Sequence, residues 1–156
     1  MSYTRADAEA ELVHRTSKKM ALVGFATTVT GTNADLNSPL ATSLRKMGLP
    51  VAGSKVADGD LSTLTAAQYD EFLDRSELRL LQNIYQNIDF TNIEVGPRRE
   101  ELGQLADQVQ SAITDLSARI QAEYGVGASK LGHGSITHDY AAKGDDGDIF
   151  PGIGEI

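Results

Sequence analysis

Cysteine and tryptophan are both missing from this 156-residue chain, and it holds only 4 prolines and 4 phenylalanines. Without cysteine there is no disulfide, no zinc–thiolate centre and no thiol nucleophile. The same absence fits an origin in the cytoplasm, where thiols stay reduced. No stretch approaches the roughly 18 uninterrupted apolar residues of a membrane span, so none is expected. The opening MSYTRADAEAELVHRTSKK carries carboxylates and lacks an apolar h-region, and it does not read as a signal peptide. Positive charge is scarce: 14 Lys and Arg face 22 Asp and Glu, a formal net charge of −8. That balance argues against a nucleic-acid surface, where Lys and Arg must meet phosphates, and against docking on an anionic leaflet. It is also the ordinary means by which soluble proteins keep apart.

What is present is globular: 40% of residues are apolar and 23% charged, a composition that folds rather than one that stays disordered. The length suits one domain with its own core. Helix signals dominate. A first helix is expected near Thr4, with Asp7 in its opening turn and Gly24 as its stop. Ala8, Leu12, Val13, Met20 and Val23 form its apolar stripe. Phe25–Asp35 is Thr-rich and reads as a loop or a short extended piece. A second helix takes Ser38 as N-cap and Pro39 as first helical residue, closes at Gly48, and has Leu40, Leu44 and Met47 on its apolar face. Residues 49–64 read as a long surface connection.

Thr65 with Gln68 has capping-box spacing and begins a third helix, whose apolar positions are Tyr69, Phe72, Leu73, Leu80, Leu81, Ile84, Tyr85 and Ile88. It is expected to end within NIDFTNIEVG. A fourth helix opens on Pro97 and runs to about Tyr124, with Leu102, Leu105, Val109, Ala112, Leu116 and Ile120 as a seam against another helix. The fold expected is mainly α: a small up-down bundle of about four helices with long loops, body 1–124, and an extended C-terminal arm, 125–156.

That last stretch changes character. It holds 8 of the 15 glycines, and glycine is entropically costly to order. Its one strand-like piece is Ser135–Tyr140, SITHDY. Yet Ile149, Phe150, Ile153 and Ile156 stud its end. Composition leaves two readings open: an arm that becomes ordered on a partner, or a disordered tail.

The search for chemistry returns little. His133, His138 and Asp139 are ligand types that suit zinc or iron, but a five-residue gap in glycine-bearing chain fixes no geometry. Counted as a calcium loop, DDGD at Asp145–Asp148 puts Phe150 where glycine belongs and Ile156 where glutamate belongs. ADGD at Ala57–Asp60 fails in the same way and reads as a turn. GVGASK at Gly125–Lys130 lacks the spacing of a phosphate loop. Glu77, Glu100 and Glu101 read as solvated carboxylates. Arg98 and Arg99 sit at the helix end that disfavours positive charge, a misfit that either a salt-bridged surface or carboxylates of a partner would relieve. No catalytic or metal-ligating residue is assigned, and no cofactor.

The order of segments carries one resemblance. NSPLATSLRKMGLPV, then ELRLLQNIYQNID, then VGPRREELGQLADQVQ, then a tail with YAAKGDDGD, resembles head–tail adaptor (connector) proteins of tailed bacteriophages, over about Asn37 to Asp148. The resemblance implies a structural virion protein with a helical-bundle body and no enzymatic role. It implies a homo-oligomeric ring, usually a dodecamer, in the neck between head and tail, made in the host cytoplasm. The C-terminal segment would dock on the portal protein, and the other face would receive the next neck or tail-completion protein. DNA would pass through the channel without specific binding. Ile136, Tyr140, Ile149, Phe150, Ile153 and Ile156 are then the partner-binding candidates. A monomeric helical protein-binding module with a disordered tail is the alternative.

Overall fold

In the computed structural model, residues 1–91 and 99–125 are described, with side chains given for 1–88 and 103–125. The described part is mainly helical and contains five α-helices: α1 (Arg5–Leu22), α2 (Asn37–Lys46), α3 (Asp58–Leu61), α4 (Ala66–Thr91) and α5 (Arg99–Ile120). No strand occurs among the described residues. A first compact unit comprises Met1–Ile120, and a second begins at Gln121. Of the second unit only Gln121–Gly125 is described, as a single π-helical turn. The fourth helix expected from the sequence is therefore shorter, because its last residues leave the α register.

Local signals set the helix ends. Thr4 caps α1 with a reciprocal box: Asp7 N donates to Thr4 Oγ1 at 3.2 Å, and Thr4 N donates to Asp7 Oδ2 at 3.0 Å. The Thr4 hydroxyl also donates to Asp7 Oδ2 at 2.7 Å, and this bond, with that from Thr4 N, holds the Asp7 carboxyl below its ordinary pKa. At the other end Gly24 takes φ +82°, which lets Phe25 N reach back to Met20 O at 2.9 Å. That is a Schellman closure, and glycine accommodates its left-handed residue without strain. Gly48 closes α2 in the same manner, with Leu49 N on Leu44 O at 2.9 Å. Helix α2 starts earlier than Ser38, because the 3₁₀ turn Ala34–Leu36 feeds directly into it. The expected Thr65–Gln68 box forms, with bonds of 3.0 and 3.2 Å. Between these helices, ADGD is not a plain turn but the start of α3, where Ala57 N donates to Asp60 Oδ2 at 2.8 Å.

Helix α4 is the axis of the unit, packing on α1, α2 and α5. Its buried residues include Tyr69, Phe72, Leu73, Ser76, Leu80, Leu81, Ile84 and Ile88. At 100° per residue they sweep about half the circumference, wider than the stripe of a helix with one neighbour. Leu105, Val109, Leu116 and Ile120 of α5 are buried in turn, and Ala8, Leu12 and Met20 of α1. Each fully buried Leu, Ile or Phe contributes about 1.5–3 kcal/mol. The pairing of α4 with α5 is antiparallel: Asp74, early in α4, meets Arg119, late in α5, at 2.9 Å. Val13, Val23, Met47 and Tyr85, expected on apolar faces, are only half-buried.

The least expected feature is a buried ion pair in α1. Arg5 and Glu9, one turn apart, are 4% and 0% exposed, with Nε donating to Oε1 at 2.9 Å. Glu9 accepts three further bonds, from the backbone amides of Thr30 (3.1 Å), Gly31 (2.7 Å) and Asn33 (2.9 Å). Arg5 donates onward to Val56 O (3.2 Å), Asn33 O (2.9 Å) and Asn37 Oδ1 (2.6 Å). Its backbone amide reaches Asp58 Oδ1 at 2.8 Å. One residue pair thus ties α1 to the loop before α2, to the first turn of α2 and to the start of α3.

Glu9→Gln leaves the Arg5 guanidinium without its counter-charge and turns amide hydrogens toward amide hydrogens. It should cost about 3–5 kcal/mol in urea unfolding; a loss below about 1 kcal/mol would show that the pair is dispensable. Ser76 Oγ is buried in α4 without a hydrogen-bond partner among the described residues. Ser76→Ala removes that unsatisfied hydroxyl and should stabilise the unit by about 1 kcal/mol or more; a destabilised variant would mean that the hydroxyl is satisfied in solution.

Candidate functional site

The candidates taken from the sequence, Ile136, Tyr140, Ile149, Phe150, Ile153 and Ile156, lie outside the described residues, as do His133, His138, Asp139 and the SITHDY segment. So do Pro97 and Arg98. The described body offers two constellations in their place, one charged and one built from backbone.

The charged constellation joins three helices. Arg15 of α1 donates through Nε to Glu11 Oε1 (2.9 Å), and through Nη1 to Glu77 Oε2 (2.9 Å) and Asp74 Oδ1 (3.2 Å) of α4. Arg119 of α5 reaches the same Asp74 oxygen at 2.9 Å. Partial burial opposes the charge on Arg15, but Glu77, Glu11 and Asp74 outweigh it and raise the pKa above arginine's ordinary value. Glu77 is therefore not a freely solvated carboxylate: its side chain is 19% exposed and paired. Part-exposed pairs of this kind contribute little individually, about 0.2–1 kcal/mol, and their use here is to fix the register of α1 and α5 on α4. Beside them Tyr3 stacks on Tyr69 with ring centroids 3.8 Å apart and planes 6° from parallel. Nothing in this cluster pairs a nucleophile with a base.

The backbone constellation is the Thr-rich loop. Asn33, 5% exposed, donates through Nδ2 to Ala26 O (2.8 Å) and Thr28 O (3.2 Å). Ala26 N donates to Asp35 Oδ2 at 2.8 Å, and Thr30 N to Glu9 Oε2 at 3.1 Å. The inward bonds fall on residues 26, 28 and 30, alternate positions, the spacing that extended backbone gives. Thr27 and Val29 have no backbone hydrogen-bond partner among the described residues. Residues 26–30 are all exposed, Val29 to 46%.

No family model, curated protein or solved structure matches the chain. Among the described residues no group of three His, Cys, Asp or Glu is gathered to hold a metal ion, and no helix is long and apolar enough to cross a membrane. Among the described residues, His14 to Lys19 of α1 line a hollow of about 280 Å³.

Sequence reading identified the Thr-rich stretch as a loop or extended piece but not its tethering by Glu9 and Asn33. The available signal was composition: Thr and Val favour extended backbone, and Asn before a helix favours a cap.

Tyr69 gives this region a pH signature. Burial, reinforced by Asp7 and Glu11 nearby, pushes its phenol up to about 12. The folded state then keeps a proton that the unfolded state loses near pH 10. The stabilisation is complete below pH 10 and drains away as pH rises from 10 to 12. Ultraviolet titration should show one of the 5 tyrosines ionising about two pH units late, and Tyr69→Phe should abolish that late step. A late step that survives the substitution would assign it to another tyrosine.

Proposed function

We propose that the protein is a structural head–tail adaptor of a tailed phage: a ring-forming neck component that lengthens the DNA channel and performs no chemistry. The observation that carries this reading is the order of segments along a helical body. The first segment of the resemblance, Asn37–Val51, spans α2 and the turn after it; Glu77–Asp89 lies within α4; the Val95–Gln110 segment runs into α5. The acid excess, formal net charge −8, suits a channel wall that DNA must slide past without sticking.

In this reading the portal protein is bound by the segment after Gly125, with Ile136, Tyr140, Ile149, Phe150, Ile153 and Ile156 as its apolar anchors. Each contributes about 1.5–3 kcal/mol when fully buried in a partner. Association must also offset the ordering of a glycine-rich chain, so several anchors acting together are required. The next neck or tail-completion protein takes the opposite face, and copies of the chain, twelve in the expected ring, complete the assembly within the virion neck.

Removing residues 145–156 tests it. The truncated chain should keep its helical circular dichroism and melting behaviour, since α1–α5 are all contained in residues 5–120, and should no longer attach to portal-bearing heads. Attachment at the full-length level would rule out docking through this segment.

A further inference from the structure

We propose that the Ala26–Thr30 edge is a self-pairing strand, through which two copies of this chain associate about a two-fold axis at Thr28. This goes beyond the adaptor reading and does not rest on it: a two-fold contact closes on itself and builds a pair, whereas a ring needs head-to-tail contacts.

Three observations carry it. The first is direction. Ala26 N and O, Thr28 O and Thr30 N are turned inward and bonded to Asp35, Asn33 and Glu9. In extended backbone the groups of alternate residues point to opposite sides, so the N–H and C=O of Thr27 and Val29 face out. The second is self-complementarity. The free groups belong to residues two apart, so an antiparallel partner of the same sequence places Thr27 opposite Val29, and Val29 opposite Thr27. Each pair exchanges two N–H···O bonds, four in all, with no donor or acceptor left over. The third is charge and protection. No residue from Gly24 to Ala34 is charged, in a chain whose net charge is −8. Two copies therefore approach along this edge without setting like charges against each other. The edge also lacks the lysine, proline or bulge with which exposed strands are usually guarded.

The tether makes the edge a binding surface and not a loose loop. Glu9 and Asn33 are buried and fix the inward side, so the outward groups are held ready and the ordering cost of pairing is already met. The two Thr27–Val29 pairs fall on one face of the ribbon and the Thr28–Thr28 pair on the other, β-branched residues that suit a pleated surface.

The register is directly testable, because the chain has no native cysteine. Antiparallel pairing about Thr28 sets residue 28 opposite residue 28 of the second copy, at a non-hydrogen-bonded position with Cα atoms about 4.5 Å apart, within disulfide range. Residue 27 of one copy and residue 27 of the other are offset by two residues and lie beyond the roughly 7 Å limit. Under mild oxidation Thr28→Cys should form a covalent dimer about tenfold or more faster than Thr27→Cys, although both positions are exposed. Adding Thr27→Pro to the Thr28→Cys chain deletes one of the two outward donors of each copy, and so two of the four bonds, while sparing every inward bond, and should slow cross-linking about tenfold. Circular dichroism of each variant verifies that the helices are intact. Equal rates for the two cysteine variants, no cross-linking of either, or a proline variant that cross-links undiminished with its helices intact would each overturn the proposal. None of these results bears on portal attachment.

Discussion

The bond between Arg5 and Glu9 is the constraint on which the rest of the molecule turns. Taking a guanidinium and a carboxylate out of water costs several kcal/mol per ion, and their mutual attraction alone does not repay it. Here the repayment comes from saturation. Glu9 receives four donors and Arg5 supplies five counting its backbone amide, so nearly every lone pair and proton is engaged. Because most of the partners are backbone groups of residues 30, 31, 33 and 56, the pair specifies where two irregular segments run. An apolar pair in the same place would hold α1 in the core but would leave those segments without an address.

From that fixed point the architecture follows. The loop after α1 is drawn in at Thr30–Asn33, the 3₁₀ turn Ala34–Leu36 hands over to α2, and α3 is anchored by Asp58 on Arg5 N. Helix α4 then serves as common wall for α1, α2 and α5, with Arg15 and Arg119 converging on Asp74 to set the two long neighbours in register. The apolar core supplies most of the stability, and the ion pairs choose among the ways in which that core could be assembled.

Much of this was legible in the residues, and what was not has physical causes. Threonine with aspartate three residues on, threonine with glutamine three on, and glycines after apolar runs each acted through bonds local to a helix end, so Thr4, Thr65, Gly24 and Gly48 stood out. The apolar spacing of α4 and α5 was equally plain. Arg5 and Glu9 were not, because a charged pair four residues apart is the ordinary signature of a solvated face, and the groups that bury it lie 21 to 51 residues away. Glu77 was misread for the same reason. Helix α3 escaped because a single turn has no periodicity to detect. Of the candidate sites, those after Gly125 were marked by composition alone and lie outside the described residues. The edge at Thr27 and Val29 became visible only once the inward bonds of its neighbours were known.

The sharpest test of the tether is amide hydrogen exchange in the wild-type chain. If Glu9 holds the loop as described, the amides of Thr30, Gly31 and Asn33 should exchange slowly, near the rate set by opening of the whole unit, while those of Thr27 and Val29, three residues and one residue before Thr30, exchange rapidly at dilution. Uniformly fast exchange from residue 26 to residue 33 would contradict the account, since a buried carboxylate could not then be the acceptor that fixes this chain's path.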